Sequence, residues 1–486
     1  MTRRAVVVVG AGPAGLAAAD AALAAGAQVT LVDDAERPGG QYHRMLPDAY
    51  GATRPEAVQH GYRSFAERSA RVLGHPRCSW WAGAEVWALE RPEPGEARPP
   101  AVHVLRGEPG APRARHVLTP DALVLATGAH DRVLPFPGWD LPGVCTAGAA
   151  QALAKGERLA VGERVVVAGT GPFLLPVAAA LLDAGSEVAA VLEAGRGAAL
   201  ARGWLRRPWE LAAQGGKGAE LAALGATLTR HRVPYRTGRG VVEARGDGRV
   251  EEVVDAALRP DWSVVPGTER TTPVDAVCVG HGFTPRLELP VAAGCDLTAP
   301  PGARPGEAYV AVDGDQATSS PGVYACGELT GVAGAPAART EGALAGWLAA
   351  GGDPAARPLT ALRRRRDQGR AFAARLARAH PVGADWPGWL RPDTVVCRCE
   401  ATDYASLCAA ADADDRVARL NTRAGLGPCQ ARVCGPTVAE LRARSGPDTP
   451  PRPGGPVPAG AHHRPVAVPV RLGELAAPPV PPAPPA

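Results

Sequence analysis

Two pairs of cysteines stand close together in the last fifth of the chain. They are Cys397-Arg398-Cys399, and Cys429 with Cys434 four residues beyond it; 29 residues separate the pairs. Four thiolates grouped in this way can ligate a structural zinc ion or an iron–sulfur cluster. Zinc ribbons favour Cys-x2-Cys knuckles, and neither pair has that spacing. Cys408 lies between the pairs on an expected helix and is left out of the ligand set. A different chemistry is written near the N-terminus. Gly10-Ala11-Gly12-Pro13-Ala14-Gly15 follows the apolar run Ala5-Val6-Val7-Val8-Val9, and Asp33 comes 23 residues after Gly10. Gly10 permits a tight turn, Gly12 lets the backbone approach phosphates, and Gly15 lets a helix pack on the preceding strand. The helix N-terminus offers free N–H groups to a diphosphate, and a carboxylate at Asp33 can accept both hydroxyls of an adenosine ribose.

A weaker copy of this pattern follows. Gly169-Thr170-Gly171-Pro172 has the first two glycines, but Leu174 stands where the third should be, and Glu193 comes 24 residues after Gly169. An acid there favours an NAD-type ribose over a 2′-phosphate. The site reads either as a place for NAD(H), or as a retained nucleotide fold that holds another nucleotide or none.

The elements that position these residues can be traced along the chain. Residues 5–9 are a buried parallel strand, a helix runs from the glycine turn to about Ala25, and Gln28–Val32 is a second strand. Residues 55–75 read as a helix and 78–132 as short strands and hairpins. A second βαβ unit starts at Arg164, residues 241–280 return as strands, and a helix spans about Ala335 to Ala350. The expected domains are 1–153, with 281–350 as its second part; an inserted nucleotide domain at 154–280; a helical linker at 351–395; a thiolate domain at 396–445; and an extended Pro-rich tail at 446–486 whose last ten residues are disordered.

The chain has 486 residues, of which 46% are hydrophobic, with Lys+Arg 53 against Asp+Glu 49 and a net charge of +4. That length allows about three domains and a sizeable core. The near balance of charge argues against nucleic acid or an anionic membrane as partner. The run Arg363–Arg366 reads as a solvated helix face. Two apolar stretches imitate membrane signals, one from Ala5 to Ala27 behind Arg3-Arg4 and one from Val165 to Leu182. Each contains a glycine turn and reads as strand–turn–helix, so no transmembrane segment is expected. The cytoplasm is the expected location, since the spacing of the ten cysteines suits ligation better than a disulfide framework.

With these motifs in place, residues 1–350 resemble glutathione-reductase-like flavoproteins, α/β proteins in which a second dinucleotide-binding domain is inserted into the first. Gly39-Gly40-Gln41 after the acid, Ala126-Thr127-Gly128, and Gly327-Glu328 carry that resemblance; Glu328 replaces the usual Asp that meets the ribityl chain of FAD. The resemblance implies FAD, held by Gly10, Gly12, Gly15 and Asp33 together with Pro13, Ala14, Gly39, Gly40, Gln41, Val86, Thr127, Gly128, Gly327 and Glu328. Disulfide reductases of this fold need a cysteine pair beside the flavin. No Cys lies near Gly39–Asp48 and no Cys-x-x-Cys in 150–280, so that chemistry is not expected. Cys326 reads as a packing residue, and His130 and His281 as hydrogen-bonded structural histidines.

The region around Cys397, Cys399, Cys429 and Cys434, with Gly425-Leu426-Gly427-Pro428 before the second pair, resembles the small α-helical [2Fe-2S] domain of bacterioferritin-associated ferredoxin. In it, Arg423 and Arg432 would offset the cluster's charge, and Gly425 and Gly427 would let backbone N–H groups approach sulfur. Zinc remains the alternative. The order of domains, with Gly280-His281-Gly282-Phe283-Thr284-Pro285 and Val468–Leu475, resembles one family over nearly the whole chain. That family comprises the large subunits of hydrogen cyanide synthase, opine oxidase, and proline and D-hydroxyproline dehydrogenases. The resemblance implies the electron-transfer subunit of a heteromeric amine or imino-acid dehydrogenase. Its implied partners are an FAD-containing amine-oxidase-like catalytic subunit, which oxidises the substrate, and a small ferredoxin-like subunit. The alternative is a stand-alone NADH-dependent flavin reductase that feeds the cluster.

Overall fold

Ala5–Val9 is apolar on both faces, and such a strand must be covered on both. The computed structural model covers it so. It describes residues 3–57, 59, 61–108, 110–205, 215–300, 303–444, 464 and 466–480. Val6 to Val9 are buried at the centre of a five-stranded parallel sheet in the order Val323–Ala325, Ala122–Leu125, Ala5–Val9, Gln28–Val32, Cys78–Trp81. The helix Pro13–Ala24 leaves the first strand through the glycine turn and packs on the helix Ala335–Ala349. These two helices approach at backbone contact. A Cβ added at Gly342 would stand 2.0 Å from the Ala14 carbonyl oxygen, and one at Gly346 2.0 Å from that of Ala18.

A second parallel sheet runs Tyr235–Thr237, Glu187–Glu193, Arg164–Gly169, Ala276–Gly280, Val144–Thr146. Its edge strand Val144–Thr146 lies ahead of residue 154 and the following helix Ala147–Gly156 runs through it, so the chain crosses to this sheet about ten residues earlier than expected. The apolar run from Val165 to Leu182 divides into strand Arg164–Gly169 and helix Leu174–Asp183. Two antiparallel three-stranded sheets accompany the parallel ones, Ala84–Glu90 with Ala101–Arg106 and Ala114–Leu118, and Arg239–Arg245 with Glu252–Ala257 and Arg270–Pro273. In the stretch 55–75, the helix is confined to Tyr62–Leu73 behind a single turn at Pro55–Ala57.

The linker helix is Arg357–Ala379, and Arg363 on it pairs with Asp315 at 2.6 Å. The last lobe is a short ladder of Val395–Cys397 with Thr402–Asp403 and the helices Tyr404–Ala409, Asp415–Thr422 and Gly435–Arg442. It shares a core with the second sheet: Trp386, Trp389, Val396, Leu407 and Leu441 pack with Trp139, Val166, Trp262 and Val277. The rings of Trp262 and Trp389 stack 5.8 Å apart.

Of the Pro-rich tail, residues 445–463, 465 and 481–486 lie outside the described residues. The described part departs from an extended, disordered tail. Leu472–Ala476 forms a helical turn, buried Glu474 pairs with Arg113 at 2.9 Å, and Val480 N–H donates to the Arg115 carbonyl at 2.7 Å. An ion pair with a residue some 360 positions away outweighs a composition that by itself favours no contact. Among the described residues no helix is long and apolar enough to cross a membrane.

Candidate functional site

The first glycine turn is shaped by close approach. A Cβ at Gly10 would stand 2.4 Å from the Ala126 oxygen, and one at Gly15 only 1.7 Å from the Gly10 oxygen. Gly12 is the N-cap of the following helix and Pro13 opens it; no side chain caps its first turn, so its N–H groups remain available to an anion. Gly39 and Gly40 press on this turn: Gly39 N–H donates to the Ala11 carbonyl at 2.8 Å, and a Cβ at Gly40 would lie 2.9 Å from Gly12 Cα. Ala14 abuts Gly327, where a Cβ would meet its methyl at 2.9 Å.

Asp33 ends the second strand beneath the turn. Its Oδ2 accepts from Ala11 N–H and its Oδ1 from Ala35 N–H at 2.8 Å. A carboxylate offers about four acceptor positions, so two remain for a vicinal diol. Burial pushes Asp33 up to about 6 against the pull of those two amides. A ribose diol requires the ionised form, whereas the free protein protonates Asp33 below about 6. Flavin affinity is therefore expected to be full above that pH and to weaken below it by about tenfold per pH unit. Asp33→Asn should flatten the dependence. Equilibrium titration of flavin-free protein with FAD across this range measures it, and an unchanged slope in the Asn variant would refute the assignment.

The remaining sequence-derived residues fall around this turn with differing roles. Val86 is buried on the neighbouring antiparallel sheet, two residues after Ala84, whose N–H donates to the Asp33 carbonyl at 2.8 Å. Gln41 is exposed, and its side-chain oxygen accepts from Arg44 Nε at 3.1 Å. Thr127 Oγ1 donates to the Arg286 carbonyl at 3.2 Å, and Gly128 takes a left-handed conformation with its carbonyl held by Arg286 N–H. Glu328 Oε1 accepts from Gly334 N–H at 2.9 Å. The acid that holds the Gly327 turn is Glu341, buried on the later helix, which accepts from Gly327 N–H at 2.9 Å and from Thr330 Oγ1 at 2.8 Å. Sequence reasoning passed over Glu341; its one signal is a carboxylate amid the small apolar residues of Ala335–Ala349.

The four cysteines are brought together. The Cys434 thiol hydrogen-bonds with Cys397 and Cys429, and the Cys399 thiol with Cys429. Backbone amides converge on the sulfurs as well: those of Gly425, Glu400 and Cys399 on Cys397, and those of Val433 and Ala431 on Cys429. The Cys434 thiol and these amides pull Cys397 down to about 6 and Cys429 to about 4, while Cys434, which shares its proton with both, is pushed up. Gly427 is required by contact, since a Cβ there would lie 2.2 Å from that of Cys399. Gln430 and Ala431 are both left-handed, a conformation that costs non-glycine residues energy and persists where the surroundings impose it. Each of the two arginines assigned to offset cluster charge also meets a carboxylate. Arg423 pairs with Glu400 at 2.6 Å and Arg432 with Glu288 at 2.9 Å. Among the described residues no three His, Cys, Asp or Glu side chains converge as on a single ion.

The two candidate sites meet. His130, just beyond Thr127-Gly128, donates from Nε2 to the carbonyl of Arg432 at 2.7 Å, within the loop between Cys429 and Cys434. His281 is buried and, by burial and the nearby Arg132 and Arg304, held down at about 3. Cys326 is buried as a packing residue. One thiol pair was missed: Cys145 and Cys278, register neighbours on adjacent strands of the second sheet, have sulfurs 3.6 Å apart. No spacing rule could join residues 133 positions apart. The second nucleotide turn also closes on backbone, since a Cβ at Gly169 would stand 1.8 Å from the Gly280 oxygen, and Glu193 beneath it is fully buried.

Comparison with known proteins agrees with this architecture. Residues 4–342 match the family described as pyridine nucleotide-disulphide oxidoreductase. The opine oxidase A-subunit of Rhizobium meliloti is 33% identical over 97% of this chain and 87% of its own. Hydrogen cyanide synthase subunit HcnB of Pseudomonas aeruginosa is 31% identical over 88% of this chain and 90% of its own. The crystal structure of L-proline dehydrogenase from P. horikoshii superposes with a TM-score of 0.64 at 18% identity, covering 98% of this chain and 79% of that one, a likeness of fold. The family's fold implies binding of FAD and nucleotide.

Proposed function

Because the chain belongs to the pyridine nucleotide-disulphide oxidoreductase family, in the group that holds the opine oxidase A-subunit and HcnB of hydrogen cyanide synthase, and is an FAD-dependent oxidoreductase, we propose that it is the electron-transfer subunit of a heteromeric amine or imino-acid dehydrogenase. The observation that carries this reading is the contact of His130 with the Cys429–Cys434 loop, which sets the two candidate cofactor sites against each other.

In this reading FAD lies on Gly10, Gly12, Pro13, Ala14 and Gly15, with Asp33 accepting the ribose diol, Gly39, Gly40, Gln41 and Val86 flanking it, and Thr127, Gly128, Gly327 and Glu328 on its far side. Residues 396–445 form a [2Fe-2S] domain with Cys397, Cys399, Cys429 and Cys434 as ligands. When bound, FAD supplies two-electron acceptance with one-electron release, and a [2Fe-2S] cluster supplies one-electron acceptance. A two-iron cluster takes two thiolates on each iron, so three side chains need not converge on one point. The amides aimed at Cys397 and Cys429 favour the thiolate form that ligation needs, and Gly427 keeps the second cysteine loop against Cys399. The substrate pocket belongs to a partner, an FAD-containing amine-oxidase-like subunit, with a small ferredoxin-like subunit as a further component, in the reducing cytoplasm.

Anaerobic reduction of the purified chain by dithionite tests the relay. Flavin bleaching should be accompanied by the electron paramagnetic resonance signal of a reduced two-iron cluster. Cys429→Ser should lose essentially all of that signal while keeping wild-type flavin content. Zinc in place of iron by metal analysis, or loss of flavin together with the cluster, would sink the reading.

A further inference from the structure

The two nucleotide turns of this chain differ in what their acidic residues have left to offer. At Asp33 each carboxylate oxygen accepts one hydrogen bond from the chain, from Ala11 N–H and Ala35 N–H. At Glu193 three acceptor positions are taken and a ring stands before the fourth. Oε1 accepts from Thr170 Oγ1 and from Gly195 N–H, each at 2.8 Å, and Oε2 accepts from Gly171 N–H at 2.8 Å and faces His380 Nδ1 at 3.3 Å. With about four acceptor positions on a carboxylate, Asp33 has room for two ribose hydroxyls and Glu193 for one, on Oε2, where the His380 ring stands in front of it. Exposure agrees: Asp33 is 8% accessible and Glu193 0%.

His380 arrives from outside the nucleotide fold. It follows the linker helix Arg357–Ala379, whose chain leads on to the cysteine lobe. Its other ring nitrogen, Nε2, accepts from Trp204 Nε1 at 3.0 Å, which fixes the ring with Nδ1 toward the carboxylate, close to it but not hydrogen-bonded. The placement is built by packing on both sides. Trp204 lies on the helix Gly197–Leu205, its ring packs on Phe372, and its carbonyl accepts from Arg375 at 3.1 Å. Gly203 lets this helix close on the end of the linker, since a Cβ there would stand 2.6 Å from Ala379 Cα.

We infer that His380 is a specificity-determining plug: it occupies the place where the ribose of a dinucleotide would meet Glu193, and closes the second nucleotide fold to NADH and to adenosine nucleotides. A nucleotide entering there must first displace the His380 ring to reach the one open acceptor on Glu193. The plug belongs to the second fold alone and needs neither a cluster nor electron transfer to act.

Isothermal titration of the full, flavin-loaded chain with NADH, and separately with ADP, tests it; the bound flavin keeps either probe out of the first site. Wild type should bind either probe at least about tenfold more weakly than His380→Ala, the range expected when a ribose hydroxyl gains a hydrogen bond to a charged group. Adding Glu193→Ala to His380→Ala should abolish the gain, which places binding at the second turn. His380→Asn, shorter but polar, serves the same comparison if the alanine variant does not fold. Equal affinity in wild type and variant would overturn the inference. Failure of every variant to bind would overturn it too, since something other than His380 would then be closing the site.

Discussion

Glu440→Ala is expected to lower stability by about 3–5 kcal/mol, the loss typical when one partner of a buried ionic cluster is removed. Glu440 is fully buried on the last helix of the cysteine lobe and binds three groups from three separate parts of the chain. Arg132 reaches it at 2.7 Å from just after the Thr127-Gly128 turn, Trp386 Nε1 donates at 2.7 Å from the end of the linker, and Arg304 clasps it with Nε at 3.1 Å and with NH2. Arg132 and Arg304 have side chains only 11% and 15% accessible, so both guanidiniums would be left with little water to compensate. Glu440→Gln keeps an acceptor for Trp386 but not the charge, and should fall between alanine and wild type. Guanidinium denaturation measures the series. A midpoint for Glu440→Ala matching wild type would mean that the carboxylate does not hold the lobe in place.

Gly15→Val should yield protein essentially without flavin. Even the first carbon of the new side chain would lie 1.7 Å from the Gly10 oxygen, and backbone cannot yield there without opening the turn proposed to receive the diphosphate. Gly26→Ala is the informative control. Gly26, unlike helical Gly15, is left-handed, with φ +97°, but a Cβ there meets nothing within 4 Å. It should cost roughly 1 kcal/mol of backbone strain and leave flavin content unchanged. Flavin absorbance per mole of purified protein separates the two, and retention of flavin by Gly15→Val would remove the first glycine turn from the cofactor site.

The central strands of both parallel sheets were legible in the sequence, because valine-rich strands, glycine spacing and a terminal acid are local signals lying within some thirty residues. The cysteine quartet was legible for the same reason. What stayed hidden joins distant positions. Nothing around His380 marks it as a neighbour of Glu193, and nothing around Glu440 announces Arg132 and Arg304. Cys145 and Cys278 become neighbours only through strand order. Nothing around Arg432 announces Glu288, some 140 positions away, as the carboxylate that it meets. The tail misled through its prolines. Composition describes what a segment does alone, and Glu474 is held by Arg113 from the opposite end of the chain.

The first sheet also carries a consequence for how the protein is made. Strand Ala122–Leu125 receives its outer neighbour, Val323–Ala325, roughly two hundred residues later. At ~5–20 residues per second, that edge waits roughly 10–40 s on the ribosome with its N–H and C=O groups unpaired. An uncovered apolar edge is a template for joining another chain, so crowded synthesis should divert nascent chains into aggregates. Slower initiation or a cooler culture, by spacing nascent chains apart, should raise the yield of folded protein even though neither changes its final stability.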